Sequence, residues 1–242
     1  MNSSLYTVMS AAKQFDQMQA VASNNIANAN TSNFKADQVS FKTLYLNGGE
    51  QAGMNAYTEL SNVGIDMRTG NIEHTNRSND ILAGEGLFFA LKNVDGDNVI
   101  SRSVTINKNN AGMLIDALGR NIQGITGENI NVGSSPFWVD SDGSVRGGST
   151  GKELLGQLKM FSVANDGATK NANGELVLSG DEVPQPTKTP SVLVGYVESS
   201  NVDSISEMTK LMSAQRNYEI SAKMMKTVSS LESSSNQLIG GR

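Results

Sequence analysis

Apolar positions recur at steps of three and four at both ends of this chain, and at steps near two in its middle. Leu5, Val8, Ala12, Phe15, Gln19, Ala22, Ile26 and Ala29 fall on one stripe of a helix in an a/d pattern, with Gln19 its polar interruption. No Gly or Pro precedes residue 48, so nothing breaks that helix. A seam of about 25 residues makes a helix about 37 Å long. At the other end Ser204 to Glu207, "SISE", reads as a capping box. Ile205, Met208, Leu211, Met212, Tyr218, Ala222, Met225, Val228 and Leu231 follow at helical spacing, and Gly and Pro are absent from Val197 to Ile239. This second helix is expected to run about 30 residues, or about 45 Å.

Between the helices the pattern changes. Nearly all the glycines and all 4 prolines lie there. The runs "GLFFALKNVDGDNVISRSVTI", "GMLIDALGRNIQGI", "FWVDSDGSV", "LLGQLKMFSVANDGA" and "GELVLSGDEV" are short, β-rich and broken by turn residues. Their Asp-Gly and Asn-Gly steps predict hairpins. The expected class is α+β: long N- and C-terminal helices forming a coiled-coil-like pair, with an inserted mostly-β domain. The expected parts are an N-terminal helix and turn over 1–45, a connecting arm over 46–72, a mostly-β domain over 73–199 and a C-terminal helix over 200–242.

Each terminal seam needs a cover that a small β domain is poorly placed to give. About six medium-sized side chains per helix represent gross stabilisation on the order of 10 kcal/mol, if the other side of the seam is supplied. An isolated helix pair is marginal. Periodicity alone leaves two readings open. One is an assembly protein with adhesive ends, largely disordered there until it meets partners. The other is a monomeric helical hairpin carrying a β insertion.

Composition removes several classes of chemistry. With 0 Cys there are no disulfides, thiolate metal sites or Cys nucleophiles, which also suits a chain that travels unfolded into an oxidising place. With 1 His, His74, a multi-histidine zinc site is excluded. No apolar run approaches the ~20 residues of a membrane span. The N-terminus lacks the charged and apolar regions of a cleavable signal peptide, so any export is expected to follow another route. The net charge of −5 is concentrated in the middle, while both ends are almost neutral. Nothing there reads as a nucleic-acid footprint.

The candidate chemical groups reduce to structure. His74 has no nucleophile at motif spacing and reads as a surface or strand residue. Asp95 with Asp97, and Asp140 with Asp142, lack the further ligands of a calcium loop, and Gly96 and Gly143 make them turns. "GEGLFF" begins like a dinucleotide fingerprint but has no third glycine and opens no helix, so Gly84 and Gly86 mark the tight start of a strand. Met208, Met212, Met224 and Met225 suit either an adaptable binding face or a helix seam. No enzyme activity, cofactor or metal is expected. A carboxylate-based hydrolase and a secreted adhesin or coiled-coil binding module remain as rivals from other classes.

One stretch resists a purely helical reading. "AVASNNIANANTSNF" carries Asn24, Asn25, Asn28 and Asn30 through an apolar stripe, although asparagine competes with the backbone for hydrogen bonds. Ser23 to Lys35 resembles the N-terminal signature of the bacterial flagellar basal-body rod and hook family, Ala-Asn-Asn-(Ile/Leu)-Ala-Asn-x-x-Thr-x-Gly-(Phe/Tyr)-(Lys/Arg). Asn33 stands where the family has Gly; both tolerate a left-handed backbone, so the turn is expected to survive. "GYVESSNVDSISEMTKLMSAQRNYEISAKMMKT" is similar to the family's C-terminal block. "GEGLFFAL" and "DALGRNIQGITG" look like its central strand and hairpin, while its Tyr-Thr-Arg segment is degraded to Ile100–Val104.

The resemblance implies a structural subunit of the flagellar rod. The short arm and the "AKMMKT" ending are most like the proximal rod type, with the distal rod type as the alternative. It implies assembly through Leu5, Val8, Phe15, Ala22, Asn24, Asn25, Ile26, Asn28, Asn30, Thr31 and Phe34 of the first helix and turn. On the second helix it implies Ile205, Met208, Leu211, Met212, Gln215, Arg216, Tyr218, Met225 and Val228. The asparagine amides would tie backbone groups between subunits, or else simply cap one helix end. Phe41 and Tyr45, in "FKTLY", have the Phe-x-x-x-apolar form associated in this group with recognition at the export gate. The implied partners are other rod proteins, further copies of the chain and the flagellar type III export apparatus. Nucleic acid and membrane insertion are not implied.

Overall fold

A computed structural model describes residues 3–46, 55–93, 96–148, 153–163, 167–171, 173–179, 186–187 and 189–240. Two long helices flank many short strands, so the class is mixed α+β. The chain divides into two compact units. The first is Met1–Ala29, Ala36–Gly64 and Val202–Arg242; the second is Asn30–Lys35 and Ile65–Asn201.

In the first unit, α1 (Ser3–Ala27) is followed by a two-stranded ribbon, β1 (Asp37–Leu46) and β2 (Asn55–Ile65), and α2 (Ser204–Gly240) closes the chain. The stretch read as a connecting arm therefore includes β2. α1 and α2 lie against each other. Small side chains are buried on both helices: Ala12 and Ala22 on α1, Ala214 and Ser221 on α2. Leu5, Val8, Phe15 and Ile26 flank them half-buried, as do Leu211, Met225 and Val228.

α2 differs from the expected single seam. Glu207, Leu211, Ala214, Ser221, Met225 and Val228 are buried or half-buried on one face, whereas Ile205, Met208, Met212, Ile220, Met224 and Leu231 are exposed. At about 100° per residue the exposed set centres opposite the buried one, spread over about 160° of the helix with Arg216, Glu219 and Lys223 among it. Sequence spacing had merged them, because two apolar stripes half a turn apart fill the same window. The start of α2 also differs. Asp203, not Ser204, is the N-cap: its Oδ1 accepts the Ile205 N–H at 3.1 Å and its carbonyl accepts the Glu207 N–H at 3.0 Å. The Glu207 carboxylate is engaged elsewhere.

The second unit is built on strand Leu87–Lys92. Its Phe89 and Leu91 join the larger core with Ile81, Val99, Leu114, Ile122, Val145 and Met160, while Phe88 and Ala90 join a smaller one with Ile100, Phe161 and Leu176. A run apolar at every position is what a strand buried on both faces requires. It pairs antiparallel with Asn98–Ser101 through Phe89↔Ser101 and with Met160–Ser162 through Met160↔Phe89. The "FWVDSDGSV" hairpin forms as read, Phe137–Val139 against Ser144–Gly147, with Gly143 at φ 76° in its turn. Asp142 accepts the Ser144 N–H within that turn. His74 is an exposed strand residue whose ring lies 4.7 Å from that of Tyr196.

Candidate assembly surfaces

Two knots of polar side chains fix the motif that ends α1, one in each unit. In the first unit Asn25 is buried in the apolar stripe. Its Nδ2 donates to the Asp37 carbonyl at 3.0 Å and to Glu207 Oε2 at 3.3 Å, and its Oδ1 accepts the Asp37 N–H at 2.9 Å. One amide thus satisfies the first residue of β1 and the first turn of α2. Lys210 donates to the other Glu207 oxygen. Within this chain Asn25 uses its Nδ2 and its Oδ1 to join α1 to β1 and α2. Asn28 donates to the Asn24 carbonyl at 3.0 Å, a bond that caps its own helix, and Asn24 and Asn30 are exposed.

In the second unit the segment Asn30–Lys35 docks among the strands. Asn33 has φ 61°, the left-handed conformation that its replacement of Gly requires. Its N–H donates to the Glu198 carbonyl at 2.8 Å, its Nδ2 to Ser101 Oγ at 2.8 Å, and its Oδ1 accepts the Ser103 N–H at 3.2 Å. Phe34 receives the Asn201 N–H on its carbonyl, and Lys170 Nζ sits 3.9 Å above the centre of its ring. Thr31 is exposed, and its carbonyl accepts the Phe34 N–H.

Lys35 completes the segment. Its Nζ donates to Glu198 Oε1 at 2.7 Å and to the Arg68 carbonyl at 2.8 Å. Both charged side chains are sealed from water. Burial pulls the Lys35 ammonium below its usual 10.5, and Glu198 counters part of that pull. Glu198 Oε1 also accepts the Gly70 N–H at 2.6 Å. Gly70 is needed there, because a Cβ would lie 2.1 Å from the Ser199 carbonyl oxygen. Arg102 stands 3.3 Å from Glu198 Oε2 and donates from Nη1 to Thr69 Oγ1 at 2.6 Å. The spacing of the motif gave no sign of these partners, which come from distant parts of the sequence.

Among the described residues of the helices, the exposed large apolar side chains include the outer α2 set and, on α1, Tyr6 and Met9. Ile205 is 77% exposed and Leu231 65%. Gln215, Arg216 and Tyr218 are exposed as well. Phe41 is half-buried on β1, and the side chain of Tyr45 lies outside the described residues. Asp95 also lies outside them. Among the described residues no group of acids and histidine could hold a metal ion, and no helix is long and apolar enough to cross a membrane.

Comparison with known proteins places these features. Residues 5–35 match the family described as flagella basal body rod protein, and residues 193–238 match the C-terminal region of the flagellar basal body rod FlgEFG proteins. The chain is 30% identical to the flagellar basal-body rod protein FlgG of Agrobacterium fabrum, over 88% of this chain and 90% of the relative. It is 30% identical to FlgG of Bacillus subtilis, over 93% and 94%. It is 25% identical to the flagellar basal-body rod protein FlgF of Escherichia coli, over 99% of both chains.

Proposed function

The chain belongs to the flagellar basal-body rod protein family, a structural component of the flagellum and not an enzyme, and we propose that within it this chain is a subunit of the proximal rod. Its terminal helices join those of neighbouring subunits into a shaft that crosses the periplasm and transmits torque. The observation that carries this reading is the second apolar stripe of α2, opposite the face that covers α1. A helix apolar on two sides is suited to lie between two neighbours. Repeated head-to-tail contacts between like subunits generate helical assemblies, and nearly neutral helices avoid accumulating repulsion in a dense tube. Within the tube the α1–α2 contact would become a coiled-coil-like pair.

The end-to-end match to FlgF supports the proximal position, since the match to FlgG of Agrobacterium fabrum covers only 88% of this chain and 90% of the relative. Leu5, Val8, Phe15, Ala22, Ile26 and Asn25 then hold the helix pair in shape, and Ile205, Met208, Met212, Gln215, Arg216 and Tyr218 face other subunits. Leu211, Met225 and Val228 seat α1. Asn24, Asn28, Asn30, Thr31 and Phe34 shape the turn that follows α1. The subunit would reach the rod through the flagellar type III export apparatus, with Phe41 and Tyr45 as the recognised pair.

Electron cryomicroscopy of basal bodies carrying a tagged copy of this chain tests the position. Density for the tag at the base of the rod is expected; density confined to its distal part would overturn the proximal assignment.

A further inference from the structure

The second unit contains a cleft of about 330 Å³ lined by the apolar Met67, Phe88 and Val163 and by the polar Arg68, Thr69, Glu85 and Arg102. Arg102 is 5% exposed, and among the described residues neither its Nε nor the Glu198 Oε2 beside it has a hydrogen-bond partner. Behind it the buried cluster is unbalanced. Lys35 and Arg102 share the single carboxylate of Glu198, while the nearby Asp66 is engaged by Arg68. Glu85, the cleft's own carboxylate, is exposed. With two buried cations on one carboxylate, the cluster holds an excess positive charge that an added anion would balance where little water competes.

We infer that this cleft receives a carboxylate-bearing turn from a second copy of the chain, an inference that rests on the rod reading above. The central region of this chain is rich in carboxylates, so a second copy can supply one to the buried cations. The turn that fits is Ile125 to Asn129, five consecutive exposed residues closed by the Gly124 N–H to Glu128 carbonyl bond at 2.8 Å. Ile125 supplies an exposed apolar side chain for the apolar lining, and Glu128 a carboxylate for Arg102. Ile72 with Glu73, and Glu153 with Leu154, also pair an exposed apolar residue with an acid. Those pairs are consecutive in strands, so their side chains point to opposite faces and cannot enter one cleft together. A turn on one copy seated in a cleft on the next is a heterologous contact that propagates.

The absence of cysteine makes the test direct. Full-length Glu85→Cys and Thr126→Cys chains are mixed under mild oxidation, which leaves Ile125, Glu128 and Arg102 intact. The disulfide-linked pair should form about tenfold faster than the pair from Glu85→Cys and Leu118→Cys, another exposed turn, as one charge-assisted contact implies. Adding Glu128→Gln to the Thr126→Cys chain should remove most of that preference. Equal rates with both partners, no linked product, or a preference indifferent to Glu128→Gln would each overturn the contact. If the contact fails while substitutions on the outer face of α2 still abolish rod assembly, the cleft proposal alone falls.

Discussion

Lys35 and Glu198 stand 163 positions apart in the chain and meet at 2.7 Å, with neither side chain reaching water. The first closes the motif after α1 and the second lies in the final strand before α2. Their pairing ties the beginning and end of the second unit at one point. Lys35→Met should destabilise that unit by about 3 kcal/mol, since it strands a buried carboxylate with a more distant arginine. The double variant Lys35→Met with Glu198→Leu should lose clearly less than the sum of the singles. Urea unfolding of the three variants checks both statements, and strict additivity would count against a coupled pair.

Asn25 makes a different kind of prediction, because its bonds hold three elements of the first unit. Asn25→Ala should cost about 2 kcal/mol, because it removes the side-chain bonds to Asp37 and Glu207 from a buried site. Exchange of the Asp37 amide hydrogen should accelerate in step with that loss. Asn24→Ala, at an exposed position in the same motif, should change stability by no more than about 0.5 kcal/mol.

Asn33 tests the turn. Asn33→Val places a β-branched residue at φ 61° and removes the bonds to Ser101 and Ser103, so it should cost more than about 2 kcal/mol. Asn33→Gly keeps the backbone conformation and loses only the side-chain bonds. Its melting temperature should therefore fall between those of the Val variant and the unmodified chain.

Acid stability should depend on Asp80. Burial pushes its carboxyl up, but bonds from Thr75, Thr105 and Arg77 outweigh that and hold it below the usual 3.8. A carboxylate depressed in the folded state contributes stability above the unfolded value, and that contribution is lost as pH falls through the folded one. Asp80→Asn should be less stable near neutrality, with the gap narrowing as pH drops below 3.8. Parallel melting curves across that range would show the narrowing.

Local patterning made much of the fold legible. The glycine-free seams gave both helices, and "GLFFAL" gave the strand buried on two faces. Asn33 in a Gly position gave the left-handed turn. What spacing could not give were pairings across long stretches of chain, such as Asn25 with Glu207 or Lys35 with Glu198. Nor could it separate the two stripes of α2, because a 3.6-residue period gives neither stripe a distinctive spacing when both faces are apolar. The capping box failed for a related reason. Glu207 has the right spacing to cap Ser204, but Asn25 and Lys210 engage it and Asp203 takes over the cap.

The outer stripe of α2 is the centre of the account, and the double variant Met208→Ser with Met212→Ser probes it most directly. Both side chains are exposed in the single chain, so the purified variant should melt within about 0.5 kcal/mol of the unmodified protein. Cells carrying it in place of the normal chain should fail to complete rods, seen as missing basal bodies by electron microscopy and loss of swimming. Complete rods at normal number, built from that variant, would contradict the account.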